Sequence, residues 1–143
     1  MSTIEKAVAL AATAHAGQVD KAGQPYILHP LRVMLRVATE EQRMAAVLHD
    51  VVEDTPVTFE DLEAQGFPES VVQAVRALTK LPGESRLAAA ERAAANPIAL
   101  AVKLADNAEN MDLSRIANPT EKDFARLKEY EAVRALLLAR SAA

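Results

Sequence analysis

Apolar residues recur along much of the chain at the three- and four-residue spacing of an amphipathic helix. The first such segment, residues 4–16, places Ile4, Val8 and Ala11 on one face, and Gly17 follows where that helix is expected to end. No segment alternates apolar and polar residues for long enough to indicate a half-buried strand. The pattern therefore predicts an all-α fold.

Capping residues and helix breakers divide the rest of the chain. Residues 17–28 are polar and hold two glycines and a proline, which predicts a loop. Thr39 and Gln42 form a capping box, and the segment from Glu41 to Asp54 is predicted as one continuous helix. Other helices are predicted to begin near Pro30, Thr58, Pro68, Ser85 and Asn96, and the last, over about 120–140, at the Asn118-Pro119 pair.

The composition is that of a soluble globular protein with room for one core. Half of the 143 residues are hydrophobic and 25% are charged, which predicts a single domain over residues 1–143. A net charge of −4, with few aromatic residues and no tryptophan, argues against a nucleic-acid or anionic-membrane partner. With no cysteine, no secretory signal and no bilayer-spanning apolar run, the protein is expected in the cytoplasm. The sequence predicts no oligomeric state.

Four polar residues stand together at the end of an otherwise apolar segment. His49 and Asp50 follow AAVL, and Glu53 and Asp54 lie four residues beyond them, on the same side of the predicted helix. Three carboxylates beside one imidazole are unfavourable unless a cation compensates their charge. The pattern favours a metal site. The alternative is a solvated acidic helix end beside a hydrogen-bonded core histidine.

A second predicted helix carries a similar set. In KLADNAENM, Asp106 follows an apolar stretch and Asn110 lies four residues on, on the same face, although Asp106 alone would more commonly be a surface charge. Together with the histidine–aspartate pair and a further histidine, Asp106 would complete a mixed nitrogen and oxygen site, which suits Mn, Fe or Zn rather than Ca. His29 is the expected further ligand, whereas His15 is expected to cap or pack.

These residues resemble a known family. HDVVED, at 49–54, resembles the HDxxED signature of the HD phosphohydrolase superfamily. A narrower set of motifs is similar to the hydrolase domain of RelA/SpoT-type alarmone enzymes and to stand-alone small alarmone hydrolases. These motifs are HAGQ (15–18), GQPYILHP (23–30), LHDVVEDT (48–55), LTKL (78–81) and KLADNAENM (103–111).

The resemblance implies a compact all-helical HD domain with one divalent metal in its core, and manganese is the expected ion. Its activity would be removal of the 3′-pyrophosphate from guanosine tetra- or pentaphosphate (ppGpp or pppGpp), a small nucleotide substrate. The implied metal ligands are His29, His49, Asp50 and Asp106. Glu53 and Asp54 would position and deprotonate the attacking water. The implied substrate contacts are Lys21, Asn110, Arg126 and Tyr130.

A polyanionic substrate also needs cations near the acidic site, and Lys80 and Arg86, in the loop around LPG, are further candidates. Two positions depart from the family pattern, because Asp20 stands where the family usually has an arginine and Asp112 follows Asn110-Met111. An acid cannot supply the planar cation that an arginine offers to a base. Two alternatives therefore stay open: hydrolysis of a different phosphorylated nucleotide, and a non-catalytic HD-fold binding module.

Overall fold

Helices form the regular structure of residues 3–142, the part of the chain that the computed structural model describes. In chain order these helices are α1 Ile4–Ala14, α2 Leu28–Leu35, α3 Glu40–Leu48, α4 Val51–Asp54, α5 Phe59–Ala64, α6 Glu69–Leu78, α7 Arg86–Ala94, α8 Pro97–Met111 and α9 Glu121–Ser141. The β-type pairing within residues 3–142 is one isolated bridge between Val19 and Pro25. The all-α prediction is confirmed.

Most helices begin where their capping residues predict. Side-chain oxygens of the predicted cap residues accept backbone hydrogen bonds at the starts of α3, α5, α7 and α8, from Thr39, Thr58, Ser85 and Asn96. The predicted range of the last helix, about 120–140, agrees with α9, but its predicted cap, the Asn118-Pro119 pair, was wrong. Its cap is Thr120, whose N–H donates to the Asp123 carboxylate at 2.8 Å, so the Asn118-Pro119 pair lies outside the helix.

The prediction of one continuous helix over 41–54 was also wrong, because the helix is interrupted at His49 and Asp50. The Ala46 carbonyl accepts the backbone N–H of His49 at 3.4 Å and a hydrogen bond from its ring Nδ1 at 2.5 Å. A new turn, α4, starts beyond Asp50, whose carbonyl accepts the N–H of Asp54 at 2.9 Å. The assumption that all four polar residues share one helix face therefore fails.

α3 is the central helix of the core. Its last five residues, 44–48, are all buried, because α1, α2, α6 and α8 pack around it. α8 contacts α2, α3, α6 and α7, and α9 packs on α7 and α8 through Val133 and Leu137. The interruption after Leu48 thus places a histidine and an aspartate at the end of a fully buried helix.

Arg92 on α7 holds the end of α6 and the loop that follows it. Its guanidinium donates to the carbonyls of Arg76, Ala77 and Thr79 at 2.6–3.2 Å and to the Glu84 carboxylate at 2.9 and 3.0 Å. The last carbonyls of a helix lack partners within it, so this side chain satisfies them. The same contacts position the loop that carries Lys80.

Substitution Arg92→Met is expected to lower the free energy of unfolding by about 2–3 kcal/mol, because several carbonyls and one carboxylate lose a charged donor. Hydrogen bonds from Arg92 and the Leu81 N–H lower the pKa of Glu84 to about 2 from 4.5, so its stabilisation is complete above pH 4.5 and is lost as the pH falls towards 2. Urea unfolding between these pH values measures both effects. Arg43→Met, at an exposed arginine of α3, is the control. An unchanged midpoint for Arg92→Met would contradict the assigned role.

None of the helices within residues 3–142 has both the length and the apolar character needed to cross a bilayer.

Candidate metal centre and substrate cavity

Three elements bring the predicted metal ligands together. His29 lies in the first turn of α2, His49 and Asp50 lie at the interruption between α3 and α4, and Asp106 lies on α8. One ligand atom from each of His29, His49 and Asp50 lies within 4.8 Å of the other two. Asp106 Oδ1 lies 2.8 Å from His29 Nε2 and 3.4 Å from His49 Nε2. His29, His49 and Asp50 therefore meet in one cluster, and Asp106 joins it through its contacts with the two imidazoles.

The orientation of His49 fits a bound cation. Its Nδ1–H donates to the Ala46 carbonyl, which leaves Nε2 with a lone pair in the neutral ring. This Nε2 is buried and lies 3.1 Å from Asp50 Oδ2, yet no group within residues 3–142 makes a well-formed hydrogen bond to it. Bonds of about 2.1 Å to one ion bring its ligand atoms to about 3–4 Å from one another. These buried ligand atoms fit a divalent metal, as the resemblance to the HD family implies.

The charges around Asp106 keep it ionised. Burial alone would raise the pKa of Asp106, but Lys103 and the two imidazoles hold that pKa well below its usual value. Lys103 Nζ lies 3.3 Å from Oδ2, and Asn110 Nδ2 donates to Oδ1 at 3.2 Å. Asp106 is therefore a fixed anion at the centre of the site.

The His49 and Asp50 pair shows the same compensation. Burial lowers the pKa of His49, but the carboxylates of Asp50 and Asp106 more than offset it and hold that pKa well above its usual value. Burial would raise the pKa of Asp50, and the His49 charge brings it below its usual value. The imidazole of His49 and the two carboxylates therefore shift one another's pKa in the directions expected of opposite charges held close together.

Glu53 and Asp54 occupy different positions. Glu53 lines the same cavity as the histidines, and burial, followed by the charges of Asp50 and Asp54, raises the pKa of its carboxyl. Asp54 is exposed and is not among the described residues that line the cavity. Its backbone carbonyl accepts a hydrogen bond from Gln18 Nε2 at 3.2 Å. The interruption of the helix explains why these neighbours separate.

The metal centre forms one wall of a cavity of about 590 Å³, a volume typical of small-molecule sites. All predicted site residues except Asp54 line this cavity: Lys21, His29, His49, Asp50, Glu53, Lys80, Arg86, Asp106, Asn110, Arg126 and Tyr130. Arg86 lies over the Tyr130 ring, with Cζ 5.0 Å from the ring centroid. Arg126 Nη1 is buried, and no protein group within residues 3–142 accepts a hydrogen bond from it. Cations and the Tyr130 ring thus line the same cavity as the candidate metal ligands.

Two ion pairs connect the 17–28 loop to Arg115, between α8 and α9, and to Asp123, in the first turn of α9. Arg115 Nη1 lies 3.7 Å from Asp20 Oδ2, and Lys21 Nζ lies 3.6 Å from Asp123 Oδ1. Asp20 Oδ1 also accepts the N–H groups of two loop residues, at 2.9 and 3.0 Å. The acid at position 20 therefore holds its own loop and positions a guanidinium, that of Arg115, at the cavity.

His15 packs beside the site, as predicted. It is 1% exposed, its Nδ1 lies 2.9 Å from Gln18 Oε1, and its ring centroid lies 5.0 Å from that of Tyr26. Gln18 in turn donates to the Asp54 carbonyl. His15 therefore packs against the 17–28 loop through Gln18 and Tyr26.

Sequence reasoning missed three residues that contact the site. Tyr26 donates a hydrogen bond from its hydroxyl to Asp50 Oδ2, Lys103 pairs with Asp106, and Arg115 reaches Asp20. Lys103 could have been found, because it precedes Asp106 by three residues and so shares its helix face. The contacts of Tyr26 and Arg115 join segments far apart in the chain, and no periodicity reports them.

Comparisons with known proteins agree with this geometry. A family model described as HD domain matches residues 7–142. The bifunctional (p)ppGpp synthase/hydrolase SpoT of Escherichia coli strain K12 is 44% identical over 82 residues, covering 54% of this chain and 12% of that protein. The guanosine-3′,5′-bis(diphosphate) 3′-pyrophosphohydrolase of Vibrio cholerae is 34% identical over 138 residues, covering 85% of this chain and 19% of that protein. The chain therefore spans less than a fifth of the length of these two relatives.

A solved structure gives a further match. A metazoan orthologue of SpoT, described as hydrolysing ppGpp, superimposes with a TM-score of 0.79 at 27% identity. The match covers 96% of this chain and 86% of that one. Fold, motif order and family model agree over nearly the whole length of the chain. The chain belongs to the HD domain family.

Proposed function

We propose that this protein is a metal-dependent hydrolase that removes the 3′-pyrophosphate from ppGpp or pppGpp. The observation that carries the proposal is the convergence of His29, His49, Asp50 and Asp106 beside Glu53 at one wall of the cavity. The activities of the relatives support the choice of substrate, because the Vibrio cholerae protein is named for this reaction and the metazoan orthologue hydrolyses ppGpp. We further propose that residues 1–143 act as one catalytic domain in the cytoplasm.

The bound ion we propose is Mn²⁺. Two imidazoles and two carboxylates suit a divalent first-row metal, and the RelA/SpoT-type hydrolases that the motifs resemble usually hold manganese. We propose His29, His49, Asp50 and Asp106 as its ligands. When bound, the ion supplies Lewis-acid chemistry, which polarises a phosphoryl oxygen and activates water.

In the proposed reaction, water attacks the phosphorus atom bonded to the 3′ oxygen. A bond forms from that phosphorus to the water oxygen, and its bond to the 3′ oxygen breaks. The 3′ oxygen takes up a proton, which gives pyrophosphate and a 5′-phosphorylated guanosine with a free 3′ hydroxyl. Glu53 accepts the proton of the water, and the burial and neighbouring charges that raise its pKa make its carboxylate a better proton acceptor.

The predicted substrate-contacting residues hold the nucleotide. Lys21, Lys80, Arg86 and Arg126 supply positive charge for the phosphates, and all four line the cavity. The buried Nη1 of Arg126 is a donor that a phosphate or base oxygen would satisfy. We propose Asn110 and Tyr130 as contacts to the ribose and the neighbouring phosphate.

Purified protein with Mn²⁺ and ppGpp is expected to yield GDP and pyrophosphate in equal amounts. Ion-exchange chromatography of the nucleotides and a coupled pyrophosphate assay measure the two products. Treatment with EDTA is expected to stop the reaction, and added Mn²⁺ to restore it. Release of orthophosphate in place of pyrophosphate, or no product at all, would contradict the proposal.

The second candidate is hydrolysis of a different phosphorylated nucleotide, and the observation that favours it is the acid at position 20 beside the cavity. Assay of several 3′-phosphorylated nucleotides under the same conditions separates the two candidates. A higher kcat/KM for a nucleotide other than ppGpp would favour the second. Metal binding without turnover of any nucleotide would instead indicate a non-catalytic binding module.

A further inference from the structure

The Tyr26 side chain lies between the 17–28 loop and the metal centre, in a fixed position. Its backbone N–H donates to the Gln18 carbonyl at 2.8 Å, and the neighbouring Val19–Pro25 bridge closes the loop. Its ring centroid lies 5.0 Å from that of His15 and 5.8 Å from that of His29. Backbone and ring are thus held by contacts that do not involve the hydroxyl.

The hydroxyl makes the contact to the site. It donates to Oδ2 of Asp50, the same oxygen that lies 3.1 Å from His49 Nε2. Asp50 stands at the interruption between α3 and α4, and its side chain makes no capping hydrogen bond to the start of α4. The carboxylate plane is therefore set by groups outside its own helix, and the phenol is one of them.

We propose that the Tyr26 hydroxyl is a positioning group that orients the Asp50 carboxylate for the metal ion. This inference rests on the proposed metal-dependent function. Groups that hydrogen-bond to metal ligands typically change metal affinity by about 10–100-fold when they are removed. Tyr26 therefore acts through Asp50, and its effect appears first in metal binding.

The chain offers a matched control, because it has two tyrosines and both line the cavity. Tyr26→Phe removes the hydroxyl and keeps the ring contacts, whereas Tyr130→Phe removes a hydroxyl that makes no contact with Asp50. Manganese binding is measured from the electron paramagnetic resonance signal of free Mn²⁺ during titration of each protein. Tyr26→Phe is expected to weaken Mn²⁺ affinity by about 10–100-fold, and Tyr130→Phe to leave it within about twofold of wild type.

Several results separate this inference from the proposed function. Wild-type affinity in Tyr26→Phe would overturn the positioning role, even with full turnover of ppGpp. Wild-type protein that binds Mn²⁺ but hydrolyses no ppGpp would overturn the function and leave the affinity comparison valid. Wild-type protein that binds no metal would overturn both.

A second measurement applies if Tyr26→Phe does not fold. The chain has no tryptophan, so the emission of Tyr130→Phe reports on Tyr26 alone. Addition of diamagnetic Zn²⁺ to this variant is expected to change that emission, because the carboxylate that accepts the phenol hydrogen bond also binds the ion. Emission that stays constant as Zn²⁺ saturates the site would overturn the proposal.

Discussion

Substitution Asp50→Asn is expected to weaken Mn²⁺ binding by at least about 100-fold and to lower kcat/KM at limiting Mn²⁺ by about 1000-fold or more. The change keeps the shape of the side chain, and its amide oxygen can still accept the Tyr26 hydrogen bond, but the negative charge is lost. Asp50 lines the cavity with its side chain 16% exposed, and the Asp106 carboxylate, 3.4 Å from His49 Nε2, remains beside that histidine when the Asp50 charge is lost. Calorimetric titration with Mn²⁺ and the pyrophosphate assay measure the two effects.

Glu60→Gln is the matched control, because Glu60 is an exposed carboxylate in the first turn of α5. It is expected to bind metal and turn over substrate as the wild type does. Loss of activity in Asp50→Asn with unchanged Mn²⁺ affinity would contradict the assignment of Asp50 as a ligand. The residue would then act on substrate or water instead.

Substitution Glu53→Gln is expected to keep Mn²⁺ affinity within about threefold and to lower kcat by about 10²–10⁴-fold, because the general base is lost while the ligands stay. Metal affinity and kcat are measured on the same preparation with saturating Mn²⁺. Unchanged turnover would show that Glu53 is not the proton acceptor.

Asp54→Asn tests the other carboxylate of the predicted catalytic pair. Its exposed side chain is not among the described cavity-lining residues, so its substitution is expected to lower kcat by about tenfold or less. A loss as large as that of Glu53→Gln would assign Asp54 a direct part in the chemistry.

The fold was predictable because helix signals in this chain are local. A cap such as Thr39 and a glycine such as Gly17, which has a φ of +88°, mark helix ends by their own chemistry. The interruption at His49 was not predictable, because it depends on the Ala46 carbonyl accepting the histidine ring as well as backbone. Hydrophobic periodicity predicts that the helix continues through His49. It does not show that the ring of His49 also donates a hydrogen bond to the Ala46 carbonyl.

The candidate metal ligands were predictable from the sequence, whereas some of the residues that contact those ligands were not. The sequence motifs predicted that His29 and Asp106 share one metal site, although 77 residues separate them. The motifs did not predict the side chains that hold the 17–28 loop and the candidate ligands in place. Arg115 pairs with Asp20, although the two residues are far apart in the chain. From the sequence alone, Asp20 indicates only that the family's arginine is missing from the loop. Tertiary contact supplies the guanidinium that the loop itself lacks.

The two ion pairs that join the 17–28 loop to Arg115 and to the first turn of α9 affect how a charged ligand is selected. Lys21 and Arg115 each already lie near an acid from the opposite segment, so together these four side chains project little net field into solution. A polyanion is therefore not drawn in from a distance by these two cations. Its phosphates must instead displace the carboxylates of Asp20 and Asp123 from Arg115 and Lys21. Selection of the ligand therefore takes place at short range, by exchange of one anion for another.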